Sequence, residues 1–179
     1  HVPIFNRAST SGLKRCGKNI NLLTPFEWIQ CGTFQITCTP GLNGIDFDST
    51  FLVKHEDANF YFGSDNSPKN KKLLRKCCEI LGKIDIAAMN YSRADDHPGM
   101  FFNLTNDEKK EERKKGLHTS FNVFFEAAEI LQPKVILPCA GDYIVRGNRK
   151  DIAPLLKICA IEELFKYAKE KLLSTKQIL

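Results

Sequence analysis

Two aspartates frame one stretch of this 179-residue chain, Ile45 to Asn66, IDFDSTFLVKHEDANFYFGSDN. Asp48 opens an apolar run that ends at His55, and Asp65 follows a second run, Asn59 to Gly63. Glu56-Asp57-Ala58 lies between them, polar and short enough for a hairpin turn. Antiparallel pairing brings the start of one strand and the end of the other to the same edge of a sheet. Two carboxylates there can share a hard or borderline cation through their oxygens. Aspartate is also a common turn former at strand ends, and the spacing leaves both readings open.

The remaining chemistry-bearing residues are sparse. Of four histidines, His1 is terminal, His55 borders the hairpin turn and His118 sits on a helical segment. His97, in Ala94-Asp95-Asp96-His97-Pro98, is the one with carboxylates beside it, although a loop turn before proline explains it equally. The chain contains no H-x-H-x-D-H, H-E-x-x-H, G-x-S-x-G, P-loop or G-x-G-x-x-G motif. Its seven cysteines, at 16, 31, 38, 77, 78, 139 and 159, lack C-x-x-C spacing. They read as reduced thiols, which predicts a cytoplasmic protein.

Alternating and helical patterns supply the elements that hold these residues. Val2–Phe5 and Asn19–Leu23 read as short strands, with a turn or two of helix over Ser9–Cys16. Phe26–Cys31 and Thr33–Thr39 read as successive strands around Gly32, and Thr33–Thr39 alternates Phe34, Ile36 and Cys38 with Gln35, Thr37 and Thr39. That period of two predicts an apolar buried face and a polar exposed one. After the hairpin, Ser67-Pro68 opens a helix whose apolar stripe is Leu73, Leu74, Cys77, Cys78 and Leu81, with Gly82 as its stop. Ile84–Met89 reads as a buried strand, and Asn90–Phe102 as a long loop. Thr105-Asn-Asp-Glu108 is a capping box for the longest helix, with Gly116 as a candidate bend. Its second half is expected to bury Leu117, Phe121, Phe124, Phe125, Ala128 and Leu131. Lys134–Leu137 is a further strand, running into the loop Pro138–Asp142 at its C-terminal end, where α/β proteins tend to place their sites. A last amphipathic helix carries Ile161, Leu164, Phe165, Ala168 and Leu172 on one face.

Composition narrows the classes. No apolar run approaches the ~20 residues of a membrane span, and the first ten residues lack a signal-peptide pattern. The net charge of +5 comes largely from two lysine-rich helical stretches, around Lys69–Lys76 and Lys109–Lys115. Each has an apolar face of its own and no interleaved aromatics, so solvated helix faces are expected and nucleic acid is not.

In order and spacing, the pieces TFQITCTPG, DSTFLVKHEDANFYFGSDN, IDIAAMNYSRADDHPGMFF and LQPKVILPCAGDY resemble the C-terminal portion of the metallo-β-lactamase fold. The nearest likeness within that superfamily is to the metallo-β-lactamase-like region of the CMP-N-acetylneuraminate hydroxylases. The resemblance covers about Phe34 to Tyr143. It implies an α/β protein, part of a four-layer αββα sandwich, with a mixed sheet and flanking helices. It implies a divalent metal, zinc or iron, with Asp65 in the place of the metal-bridging aspartate, Asp48 at or beside a ligand position, and Asp142 in the loop of the last ligand. It implies a metal-dependent hydrolase or oxidoreductase, or a non-catalytic binding module that keeps the fold. The sequence departs from the family's pattern. The histidine motif is absent, Leu42-Asn43 follows Thr39-Pro40-Gly41 where relatives place a histidine, and the Pro138–Asp142 loop has none. The expectation is therefore an incomplete site in one domain, completed by an N-terminal half in the same or another chain, or by a homo-oligomer.

Overall fold

The structure is a computed structural model that describes residues 23–40, 49–63, 70–92, 97–139, 147–156 and 159–172. The expected elements at Val2–Phe5 and Ser9–Cys16, all but the last residue of the strand expected over Asn19–Leu23, and the helix entrance at Ser67-Pro68 lie outside these residues. The described chain falls into two compact units. One holds the residues up to Met89 together with Ala127–Leu137, and the other holds Asn90–Glu126 and the residues from Pro138 onward.

The first unit is built on a six-stranded sheet in the order β1 (Ile29–Cys31), β2 (Phe34–Cys38), β3 (Phe51–Lys54), β4 (Asn59–Phe62), β5 (Ile86–Asn90) and β6 (Val135–Cys139). β1 to β4 form an antiparallel meander, and β4 and β5 are parallel, so the sheet is mixed as expected. Gly32 makes the first turn at φ +61°, a conformation that costs glycine nothing. β1 is shorter than the sequence suggests because Phe26 sits at φ +66° in a turn closed by the Glu27 N–H donating to the Thr24 carbonyl at 3.0 Å. The central hairpin turns where expected, with the His55 N–H donating to the Ala58 carbonyl at 2.9 Å.

Register decides which side chains share a face. Thr37, Leu52, Tyr61 and Ala87 lie in one row across β2 to β5. All four are buried, beneath helix α1 (Lys71–Leu81), which buries Leu74, Cys77 and Leu81 toward the sheet. The next row, Ile36, Val53, Phe60 and Ile86, points to the opposite face, and none of its members is fully buried. Phe34 and Phe62 on that face are 41% and 47% exposed. The alternation read in Thr33–Thr39 is not reflected in its burial, which rises along the strand: Phe34 and Gln35 are exposed, Ile36 is half-buried, and Thr37, Cys38 and Thr39 are buried. Thr37 and Thr39 lie inside under the helix, while on the other side Phe34 and Phe62 are exposed and Cys38 and Ala88 are buried.

α1 begins at Asn70, whose side chain accepts the Leu73 N–H at 3.1 Å, and ends at Gly82, φ +72°. Beyond it the chain is clasped. The Asn59 amide donates to the carbonyls of Leu81 and Lys83 at 3.1 and 2.9 Å, and the Asp85 carboxylate accepts the Asn59 N–H at 2.8 Å while pairing with Lys134. Asn59→Ala strands two carbonyls near the helix end and is expected to destabilise the chain by about 1–3 kcal/mol in urea unfolding. Lys134 and then the Asn59 N–H hold the Asp85 pKa below the ordinary carboxylate value. A depressed folded-state pKa contributes stability that is present above the unfolded pKa and lost as pH falls through the folded one. The urea midpoint is therefore expected to fall below about pH 4, and Asp85→Asn is expected to flatten that limb. An identical acid limb in the variant would remove Asp85 from the account.

The second unit centres on helix α2 (Asn106–Leu131), whose last turn belongs to the first unit. The capping box forms as read: the Glu108 carboxylate accepts from the Thr105 N–H at 2.7 Å, and the Thr105 hydroxyl accepts the Glu108 N–H at 3.3 Å. The helix runs unbroken through Gly116. Leu117, Phe121, Phe124 and Leu131 are buried as expected, with Ala127 added and Phe125 and Ala128 only half-buried. Helix α3 (Ile161–Leu172) packs on it through Tyr167, which donates to Asn122 at 2.8 Å. Arg113 bridges to Glu163 at 2.8 Å and donates to the Leu156 carbonyl at 2.7 Å. A 3-10 helix, Gly147–Leu155, precedes Leu156, which bridges to Pro98 in the long loop.

Candidate functional site

β2 and β4 end, and β3 begins, at one edge of the sheet. At that edge the Thr39 N–H donates to the Thr50 carbonyl at 2.9 Å, and the Gly63 N–H donates to the Ala88 carbonyl at 2.8 Å. Continuing the pairing of Phe51 with Phe62 sets Thr50 opposite Gly63. Thr50 stands two residues after Asp48, and Gly63 two residues before Asp65. Asp48, Asp65 and Asp142 themselves all lie outside the described residues. The hairpin thus brings together the backbone that flanks the first two, as its turn predicted. β6 ends at Cys139, three residues before Asp142, and that end belongs to the second unit.

Among the described residues no three His, Cys, Asp or Glu side chains come together as a metal-binding group. Those residues alone do not fit a metal centre, and an ion would depend on the aspartates beyond them and on ligands from elsewhere. The described histidines are dispersed. His55 lies 3.7 Å from Asp57 at the hairpin turn, His118 packs at a tilt against Tyr167 with centroids 5.0 Å apart, and His97 meets the edge of Phe101 at 4.8 Å. Burial pushes the Cys77 thiol, with Cys78 beside it, up to about 12. It behaves as a packing residue, not a nucleophile.

The edge holds polar residues that sequence reasoning passed over. Thr37, Thr39, Ser49 and Thr50 are all buried. The Thr50 N–H donates to the Thr39 hydroxyl at 3.2 Å, and burial drives up the pKa of the Tyr61 hydroxyl on the same face. The hydroxyls of Thr37 and Ser49 make no hydrogen bond among the described residues. Unpaired buried hydroxyls are uncommon and mark places where a structure is under functional demand or incomplete. The threonine row was visible in the sequence, but alternation alone assigns threonine to the wet side.

The basic stretches are surface. On α1, Lys71, Lys72, Arg75 and Lys76 are exposed, and Lys76 pairs with Glu79 at 3.3 Å. On α2, Lys110 pairs with Asp107 at 3.0 Å and Lys115 with Glu112 at 2.8 Å. Among the described residues no helix is long and apolar enough to cross a membrane.

No protein-family model matches the sequence, and no curated protein matches it. Solved structures do resemble it. The diiron β-hydroxylase CmlA from Streptomyces venezuelae superposes on 89% of this chain and 33% of its own, at 16% identity and a TM-score of 0.52. A mutant form of CmlA superposes with a TM-score of 0.55 at 15% identity, over 89% of this chain and 32% of that one. Igni18, a metallo hydrolase from the archaeon Ignicoccus hospitalis, superposes on 97% of this chain and 63% of its own, at 10% identity and a TM-score of 0.52. At these identities the likeness shows the fold, an α/β architecture with a mixed sheet and flanking helices that the chain shares with these structures. The chain spans a third of CmlA and under two thirds of Igni18.

Proposed function

We propose that this chain is the C-terminal portion of a metallo-β-lactamase-fold metal enzyme, a hydrolase or hydroxylase, whose ion site is completed by residues outside these 179. The observation that carries this reading is the sheet edge, where Thr50 and Gly63, the flanks of Asp48 and Asp65, lie opposite each other in a fold shared with metal enzymes. Asp48, Asp65 and Asp142 would supply the carboxylate part of the ligand set, and histidines would come from the completing segment. A zinc or iron ion held there supplies Lewis acidity and lowers the pKa of water. This chain's own part is to hold the carboxylates at a rigid edge. The order of the four motif pieces favours the hydroxylase branch, with the CMP-N-acetylneuraminate hydroxylases as the nearest likeness.

The open face of the sheet supports an absent layer. Phe34 and Phe62 are exposed and Ile36, Phe51, Val53 and Phe60 half-buried, all apolar, beside the buried Cys38 and Ala88 of the same face. Soluble monomers seldom leave so continuous an apolar surface in water. A second sheet from the completing half, packed on it at about 10 Å, would bury these side chains. Cytoplasmic residence belongs to the same proposal, since the described cysteines are all free thiols. Nucleic acid is not among the proposed ligands.

Calorimetric titration with Zn2+ and Fe2+ tests the reading. Weak binding of an ion by the chain alone is expected, with tighter binding once the completing half is added. No binding in either state would favour a non-catalytic module that keeps the fold.

A further inference from the structure

We infer that the outward face of α1 is a docking face for a compact polyphosphate group, held by Lys72 and Arg75 with Lys71 and Lys76 beside them. The face stands apart from the ion site and uses none of its residues. Lys71–Leu81 carries four basic residues and one acidic, Glu79. All five are exposed, on the side away from the buried Leu74, Cys77 and Leu81. Positions 71 and 75, 72 and 75, and 72 and 76 are neighbours on a helix surface, about 5–6 Å apart at Cβ. The four cations therefore crowd within the first two turns of the helix.

This crowding works against the helix. Cations are unfavourable at a helix N-terminus, where the dipole is positive, and like charges four residues apart repel. α1 has no acidic residue in its first turn and no basic residue in its last. The other two helices follow the favourable order. α2 and α3 open on the acidic pairs Asp107-Glu108 and Glu162-Glu163, and α3 closes with Lys169 and Lys171 in its last turn. Their charges nearly balance, with five basic and six acidic residues on α2 and three of each on α3. Lys110, Arg113 and Lys115 are neutralised by Asp107, Glu163 and Glu112. On α1 Lys76 pairs with Glu79, but Lys72 and Arg75 have no acidic partner among the described residues. A charge pattern that opposes its own helix, beside two helices that obey the rule, marks a functional demand. A bound anion offsets the repulsion and the dipole together. The oxygens of a diphosphate accept from the Arg75 fork and from Lys72 at once. No aromatic side chain lies between positions 71 and 76 for a base to stack on, so the phosphate group itself is what the face fits.

Calorimetric titration of the chain with pyrophosphate at low ionic strength tests the face. Binding is expected, and it should weaken as salt rises. Lys72→Gln combined with Arg75→Gln should lower the affinity at least about tenfold. Lys114→Gln, at an exposed lysine of α2, should leave it unchanged. Without ligand, the double variant should unfold at the same or a higher urea concentration than the unaltered chain, because glutamine keeps the helix propensity and removes the repulsion. ADP titrated in parallel separates the sources. Affinity no tighter than that of pyrophosphate assigns a free polyphosphate, and tighter binding assigns a nucleotide; either supports the face. No pyrophosphate binding by the unaltered chain, or equal binding by the double variant, would overturn the inference and leave a solvated helix face. A lower urea midpoint in the unliganded double variant would overturn it as well, since the cations would then be holding the fold. Binding of an oligonucleotide but not of pyrophosphate would assign the face to nucleic acid and sink the polyphosphate reading.

Discussion

Leu52→Ala is expected to destabilise the chain by about 3–5 kcal/mol, whereas Val53→Ala, one residue along the same strand, is expected to cost under about 1 kcal/mol. Leu52 is fully buried between Thr37 and Tyr61 in the row beneath α1. Removing its branched end leaves a cavity that rigid strands on both sides cannot close. Val53 points the other way, into the row of Ile36, Phe60 and Ile86 that no described residue buries. Chemical denaturation of the two variants reads the difference directly. Adding the completing half should reverse part of the contrast, because Val53 would then enter a core and its loss would approach about 1–3 kcal/mol. Equal costs at both positions in the isolated chain would mean that the face carrying Val53 is already covered.

Asp65→Ala is expected to abolish ion binding at the sheet edge, a loss of at least about 100-fold, with little change in folding stability. Asp65 follows Gly63, whose N–H is anchored on Ala88 at 2.8 Å, so the chain enters that position from a fixed strand end. Asp48→Ala should weaken binding by a smaller factor, since the resemblance gives it a ligand or neighbouring place. Carboxylates gathered without a cation repel, and one of them keeps a proton. Ion binding should therefore release protons and strengthen as pH rises. Equal affinity in the unaltered chain and in Asp65→Ala would remove Asp65 from any site.

The parts of the fold that rest on local chemistry were legible from sequence. Glu56-Asp57-Ala58 turns the hairpin, Gly32 takes a positive φ, Gly82 stops α1, and Thr105 and Glu108 cap α2 reciprocally. At the helix start the cap is Asn70, whose side chain accepts the Leu73 N–H, while the entrance read at Ser67-Pro68 lies outside the described residues. The burial of the sheet was legible in part: the strand read as buried over Ile84–Met89 is largely so, but that of β2 was not. Thr37 and Thr39 look solvent-facing by type, yet lie under a helix, where the Thr39 hydroxyl accepts from the backbone of the neighbouring strand and the Thr37 hydroxyl makes no hydrogen bond among the described residues. Phe34 looks like core and is 41% exposed. The clasp at Asn59 and Asp85 was invisible because its partners Leu81, Lys83 and Lys134 meet only in three dimensions. The register of β3 on β4 bears out the hairpin, while the three aspartates read as its site lie outside the described residues.

The central claim is that one ion is shared at this edge. Anomalous diffraction from a crystal of the chain soaked with Zn2+ reads it most directly. The account expects one peak at about 2–2.5 Å from carboxylate oxygens of both Asp65 and Asp48, with Thr50 opposite Gly63 immediately behind it. A peak elsewhere, or the two carboxylates held more than about 8 Å apart, too far for one ion to span at ligand distances near ~2 Å, would contradict it.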